Sequence, residues 1–278
     1  MYDWIKIRKI ATALEYIEGN LQHDLSLGMV AKAAYCSKFH LHRQFSRIAG
    51  MTLHGYVQRR RLTEAARSLV FSHTPILHIA LAAGFESQQA FTSAFRSMFK
   101  KTPNGFRKEA NFYPLQLPMK LGAIGTDKRG SVRLTAAPAG SADIPSWMNL
   151  ARMAIDGFPN LKEEEHLGEL ERRIAREQAL IVRDGDTIAG AAMFSRGAGS
   201  IDFLAIHPFY RSGEAARGLF EKVLSALPRR RKEISITTYR DGDKADTGHR
   251  RMLKLLGFRE AELLTEFDYP TQRMLLNN

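Results

Sequence analysis

The chain has 278 residues, 44% apolar and 25% charged, which places it among globular chains long enough for two cores. It shows no run of 18 apolar residues and no signal-like stretch after Met1, and its single cysteine, Cys36, excludes an internal disulfide; a cytoplasmic setting without a membrane partner is expected. The formal charge of +12 is uneven: residues 1–112 hold 16 Lys and Arg against 7 Asp and Glu, and the remainder holds 25 against 22. A basic first half is either a solvated surface or a nucleic-acid surface, since Lys and Arg neutralise phosphates.

The first hundred residues repeat at an offset of 50. Ala33, Ser37, Phe45, Thr52 and Gly55 recur as Ala83, Ser87, Phe95, Thr102 and Gly105, with Tyr56 recurring as Phe106. Each copy reads as a short helix, a turn and a longer helix opened by a Ser cap. Leu27, Val30 and Ala31 form an apolar stripe ending near Ala34, the turn falls at Tyr35-Cys36, and Ser37 caps a helix over 38–48. In the second copy Pro75 suits the first turn of a helix through Ile76, Ile79 and Ala80. Gly84-Phe85 makes its turn and Ser87 opens a helix over 88–99.

On the first long helix Leu41, Phe45 and Ile48 point inward, leaving Phe39, His42, Arg43 and Ser46 outside. The corresponding face of the second copy is Gln89, Thr92, Ser93 and Arg96, with Gln88 beside them. Two such faces suit reading of base edges in the major groove.

The segments LSLGMVAKAA, YCSKFHLHRQF, GMTLHGYVQRRRLTEAARSL and ILHIALAAGFESQQAFTSAFRSMFKKTPNGFR resemble the AraC/XylS family over residues 8–108. The resemblance implies seven helices, a long central one over 53–71, and two recognition helices entering successive major grooves of duplex DNA. It also implies a regulator that works with an effector and RNA polymerase. Relatives often carry Trp at the position of Phe39 and Arg at that of Ser93, so the second half-site is expected to be read weakly.

Among single residues, Arg43 is the first choice for base readout, because a guanidinium can pair with O6 and N7 of guanine. Gln88 and Gln89 suit adenine. Lys38, Arg47, Arg96 and Lys100 are read as phosphate anchors. One of Arg59, Arg60 and Arg61 must turn toward the body of the protein. His40 and His42 face different sides of their helix and cannot share a metal, so no metal site is expected. Cys36 is expected to be buried as a small apolar residue.

Residues 1–110 are therefore taken as one all-α domain and 111–130, with its prolines and glycines, as a linker. Residues 131–278 alternate strands and helices, giving an α+β domain with a mixed sheet. Strands are expected at 131–137, 178–183, 187–195, 200–206, 233–239, 262–268 and 272–276. Helices are expected at 145–157, 163–177, 213–226 and 247–256, the last ending at Gly257.

The segments IDFLAIHPFYRSGEAARGLFEKVL and HRRMLKLLGFREAELL resemble the GNAT acetyltransferases over residues 131–276. The resemblance implies a site for acetyl-CoA or coenzyme A, with Arg211, Ser212, Gly213, Ala215 and Ala216 at the pyrophosphate. Two residues depart from it. Glu214 stands where a glycine normally approaches phosphate, and Leu253 stands where many members place a general-acid tyrosine. Tyr239 or Tyr269 would substitute only with suitable geometry. No catalytic residue is assigned, and enzyme activity is disfavoured. A ligand-sensing or interaction domain, a tethered acetyltransferase and a dimerisation module remain as readings of this half.

Overall fold

The computed structural model describes residues 4–119, 134–154, 162–185, 187–207, 210, 214–227, 233–266 and 268–277. The chain divides into two compact units, Met1–Leu121 with Asp243–Thr247, and Gly122–Gly242 with Gly248–Asn278.

The described residues of the first unit form seven helices: α1 (Trp4–Gly19), α2 (Leu27–Ala33), α3 (Lys38–Ala49), α4 (Leu53–Phe71), α5 (Ile76–Ala82), α6 (Gln88–Phe99) and α7 (Pro103–Glu109). The internal repeat is visible in their caps. Ser37 Oγ accepts from His40 N–H and Ser87 Oγ from Ala90 N–H, both at 3.2 Å. Thr52 and Thr102 accept from Gly55 and Gly105 N–H, both at 3.1 Å. Each such cap satisfies one orphan helix donor, worth about 1 kcal/mol. Gly50 and Lys100 end the two long helices at the same offset, both left-handed, with φ 74° and 61°.

The turns inside the two copies also correspond. Tyr35 takes φ 50° where the second copy has Gly84 at φ 77°, and Cys36 and Phe85 N–H then bond back to Ala31 and Ala80 O at 3.0 Å. These turns correspond at an offset of 49, and Glu86, an extra residue between the turn and the Ser87 cap, restores the offset of 50 in the helix that follows. A tyrosine in the left-handed region costs of order 1 kcal/mol that glycine avoids.

Leu41, Phe45 and Ile48 are buried, as the helical period requires, and so are Phe91, Phe95, Met98 and Phe99. Phe95 stacks on Phe99 at 4.3 Å and meets Phe106 edge-on at 5.4 Å. Part of the segment expected as a linker, residues 113–119, is packed into the first unit. Tyr113, Leu115, Gln116 and Met119 are buried in the first unit, with Leu115 and Gln116 N–H bonding to Thr63 Oγ1 at 3.1 Å. Their apolar side chains gain more from burial than a Pro-containing extended segment loses by being ordered. Residues 120–133, the rest of the expected linker and the start of the next strand, lie outside the described residues.

The second unit is a seven-stranded mixed sheet in the order β1-β2-β3-β4-β5-β7-β6. Its strands are β1 (Ala136–Pro138), β2 (Ala179–Asp184), β3 (Thr187–Ser195), β4 (Ser200–Ile206), β5 (Glu233–Tyr239), β6 (Arg259–Glu266) and β7 (Tyr269–Asn277). Helices α8 (Ile144–Met153), α9 (Glu163–Ala175), α10 (Glu214–Ala226) and α11 (His249–Leu255) connect them. Strand β3 is buried on both faces, and α8, α9 and α10 pack against it. A Cβ on Gly190 of β3 would stand 3.0 Å from Ile206 and 3.1 Å from Leu219, so the missing side chain lets α10 close onto the sheet. Strands β6 and β7 begin at Arg259 and Tyr269, about three residues before the expected starts at 262 and 272, because both are exposed or mixed in burial and their alternation is weak. Gly257 has the positive φ, 94°, expected after α11.

The parallel pair β4–β5 is short. It registers only at Ser200–Ser235 and Ile201–Ile236, after which the strands part. The parting opens the cavity described below.

Candidate nucleic-acid interface and ligand cavity

Helix α3 shows Lys38, Phe39, His42, Arg43 and Arg47 to solvent, and Phe39 is 90% exposed. Its neighbours Lys38, Arg43 and Arg47 are basic. The side chain of Lys38 runs over α2, where a Cβ on Gly28 would stand 2.8 Å from its Cε. Ser46 is half-buried and its hydroxyl is shielded from solvent, unlike the other residues expected on the outer face.

Helix α6 exposes Gln88, Gln89, Ser93 and Arg96, with Thr92 half-buried. With Ser97 and Thr102 they line one shallow hollow. The residues expected on the second face are thus brought together, and the face is neutral but for Arg96. Lys100 is placed differently from the other expected phosphate anchors. It is half-buried, and its ammonium donates to Ser97 O at 2.6 Å and to Asp243 of the same unit at 2.8 Å.

The three consecutive arginines of α4, Arg59, Arg60 and Arg61, all turn inward, where only one was required to. Arg59 donates to Leu115 O at 3.2 Å and Arg60 donates to both oxygens of Glu18, with Nε 2.9 Å from Oε1. Arg60 also meets Glu64 at 2.9 Å, and these carboxylates raise its already high pKa despite burial. Arg61 donates to Leu21 O and His23 O at 2.9 and 2.7 Å. The loops that follow α1 and α7 present carbonyls with no helical partner, and guanidinium groups satisfy them. A run of arginines on a helix reads in sequence as surface, so this role was invisible there. Cys36 is half-exposed and not fully buried; the burial it has pushes its thiol pKa up.

In the second unit the parting of β4 and β5 leaves a cavity of about 490 Å³. Asp202, His249, Glu266 and Arg273 line it, with the hydroxyls of Ser200, Ser235, Thr237, Thr238 and Thr271 and a floor of Ile201, Phe203 and Ile236. Asp202 accepts from Ser200 Oγ at 2.6 Å, while its Oδ2 lies 2.7 Å from Arg173 Nη2, off the hydrogen-bonding axis. Burial outweighs that arginine and raises the carboxyl pKa. His249 Nδ1 pairs with Thr238 Oγ1 at 3.0 Å, and Glu266 accepts from Thr271 Oγ1 at 3.1 Å.

Arg211, Ser212 and Gly213, assigned to coenzyme A by resemblance, lie outside the described residues, as do the side chains of Glu214 and Ala215; Ala216 is half-buried on α10. Leu253 is fully buried, and Tyr239 and Tyr269 are buried edge-to-face at 5.6 Å. The described lining offers hydroxyls and unpaired strand edges, which suit amide and hydroxyl groups of a ligand. Among the described residues no cluster of potential metal ligands occurs, and no helix is long and apolar enough to cross a membrane.

Two similar units, each a short helix, a turn and a capped longer helix, joined by one long helix, define a double helix-turn-helix protein. A helix-turn-helix domain family model matches residues 30–109. Over 98 residues the chain is 41% identical to the multiple antibiotic resistance protein MarA of Escherichia coli, spanning 35% of this chain and 77% of MarA. Over 131 residues it is 37% identical to the right origin-binding protein of Escherichia coli, spanning 46% of this chain and 45% of that protein. The chain belongs to the AraC-type family of helix-turn-helix proteins. The chain spans under half the length of the right origin-binding protein. A GNAT-family acetyltransferase structure from Bacillus cereus aligns with 51% of this chain and 96% of its own, at 14% identity and a TM-score of 0.42. The mixed sheet of the second unit is described by its own strand order.

Proposed function

We propose that the chain is a sequence-specific DNA-binding transcription regulator whose second unit senses a ligand. The observation that carries the first part is the pair of recognition helices, α3 and α6. Each is fixed by the same Ser cap and aromatic core, and each turns a polar face outward. In this reading Phe39, His42 and Arg43 meet base edges of one half-site, and Gln88, Gln89, Thr92 and Ser93 meet those of the next. Lys38, Arg47 and Arg96 hold phosphates, and Lys100, engaged by Asp243, contributes least. MarA and its relatives support the reading by family. A regulator of this kind acts on RNA polymerase at the promoter it occupies.

The cavity between β4 and β5 supports the second part, since a hollow of this size with convergent polar groups suits a small effector. Binding is tested by fluorescence anisotropy on duplexes enriched from a random pool. If about six to eight phosphates are neutralised, log K should fall with log salt at a slope of roughly −5 to −7. A slope near zero would overturn DNA recognition. Thermal shift with acetyl-CoA, coenzyme A and hydroxylated amines tests the effector site, a binder raising the melting temperature of the second unit.

A further inference from the structure

We propose that Arg61 is the positioning residue that fixes the distance between the two recognition helices, and with it the half-site spacing the protein accepts. The inference rests on the DNA-reading function above. The two helix-turn-helix copies are joined by α4, which is rigid along its length but is entered and left through short turns, Gly50–Thr52 and Ser72–Pro75. Between the copies lies a cleft of about 620 Å³. One wall is Leu21, Gln22 and His23, from the turn that leads into α2, and the other is Thr74, His78 and Ala82, at and after the start of the second copy.

Arg61 projects from α4 into this space and reaches both copies. Its Nε and Nη2 donate to Leu21 O at 2.9 Å and His23 O at 2.7 Å. Its Nη1 lies against Gly84, in the turn before α6, so closely that a Cβ there would stand 2.5 Å from it. One planar guanidinium therefore touches the loop feeding the first reading unit and the turn feeding the second. Gly84 is required twice, for its φ of 77° and for the room it leaves the arginine. A lysine could not do this, because a single ammonium cannot donate to two carbonyls in a fixed fork while a third nitrogen reaches the Gly84 turn.

The consequence is geometric. One inserted base pair moves a half-site by about 3.4 Å and turns it by about a tenth of a helical turn. Reading units held at a fixed separation cannot follow, and the second helix loses its base contacts, each worth roughly tenfold in affinity. Units free to pivot about α4 can follow.

The test is selection from a random duplex pool with the full chain, carried out in parallel on wild type, Arg61→Ala and Arg61→Lys. Wild type should enrich two motifs at one separation. Both variants should enrich the same two motifs over several separations. The penalty for one inserted base pair, measured by anisotropy, should fall from roughly tenfold to under about threefold. Gly84→Ala, which displaces the guanidinium, should broaden the spacing likewise. Retention of one separation and of the full insertion penalty in Arg61→Ala would overturn the proposal. So would loss of the helical circular-dichroism signal in both Arg61 variants, which would assign the residue to folding. Failure of wild type to enrich any motif is a different result, and it would remove the DNA-reading function itself.

Discussion

Acidification should weaken the second unit through one residue, His166. Its imidazole is buried, with Trp147 Nε1 donating to Nε2 at 3.1 Å and the Phe203 ring edge-on at 4.7 Å. Burial lowers its pKa from 6.5 to about 4, and the nearby Glu163 carboxylate opposes the shift only weakly. Between those values the unfolded chain binds a proton that the folded chain refuses. Stability is therefore complete above the unfolded pKa and falls as pH drops toward the folded one. At about 1.4 kcal/mol per pH unit, the loss from this residue is about 2 kcal/mol at pH 5 and about 3 kcal/mol below pH 4. Trp147 reports it directly: of two tryptophans in the chain, Trp4→Phe leaves only this one. Urea unfolding followed by fluorescence at pH 7.5 and pH 5 then compares the Trp4→Phe protein with Trp4→Phe/His166→Gln. The amide introduced by His166→Gln retains an acceptor for the indole but does not titrate. The double variant should lose about 2 kcal/mol less than its parent on acidification. Equal losses in the two proteins, after all other carboxylates have cancelled, would refute the assignment.

Arg43→Ala should cost about 1–3 kcal/mol on a selected duplex and relax preference at one base pair, whereas Arg96→Ala should weaken all duplexes alike and flatten the salt slope by about one unit. Anisotropy titrations on a panel of single-base variants separate the two behaviours. Glu18→Gln should destabilise the first unit by about 3 kcal/mol in thermal unfolding, because it removes the negative charge paired with the buried Arg60 guanidinium and puts an NH2 donor in place of one of its two acceptor oxygens. The same change also takes the carboxylate from Tyr56, whose hydroxyl donates to it at 2.7 Å. Phe95→Ala removes the ring shared by Phe91, Phe99 and Phe106 and should cost about 3–5 kcal/mol, read by calorimetry.

The helices of the first unit were legible because period, caps and repeat agree there. Ser37, Thr52, Ser87 and Thr102 act where the sequence puts them, and α4 runs over the residues expected. The order of strands in the second unit was legible for the same reason, since β3 and β4 alternate or run apolar between clear turns. What the sequence hid were roles decided by distant partners. Nothing local says that Arg59, Arg60 and Arg61 all serve carbonyls and carboxylates from other elements, or that Lys100 meets Asp243. Residues 113–119 read as a linker because prolines and glycines surround them, yet Tyr113 and Met119 are buried. Their partners lie far along the chain, as with Met119 N–H on Tyr56 OH at 3.0 Å.

The two reading faces differ in kind, and this gives the strut on Arg61 its importance. In the proposed DNA-reading role, helix α3 offers the exposed cations Lys38, Arg43 and Arg47, which would attract the duplex at a distance and hold it. Helix α6 offers amides and hydroxyls with one arginine, so alone it gains little from phosphate charge. Such a face reads DNA only when something else has already brought the duplex to it. Attachment to α3 supplies that as an effective concentration, which is highest when the link holds the second face at the right separation and falls once the link can pivot. A weak second reader on a stiff connection adds discrimination by spacing as well as by sequence. The same reader on a loose connection would add almost nothing, because the first half-site would bind regardless of what lies beside it.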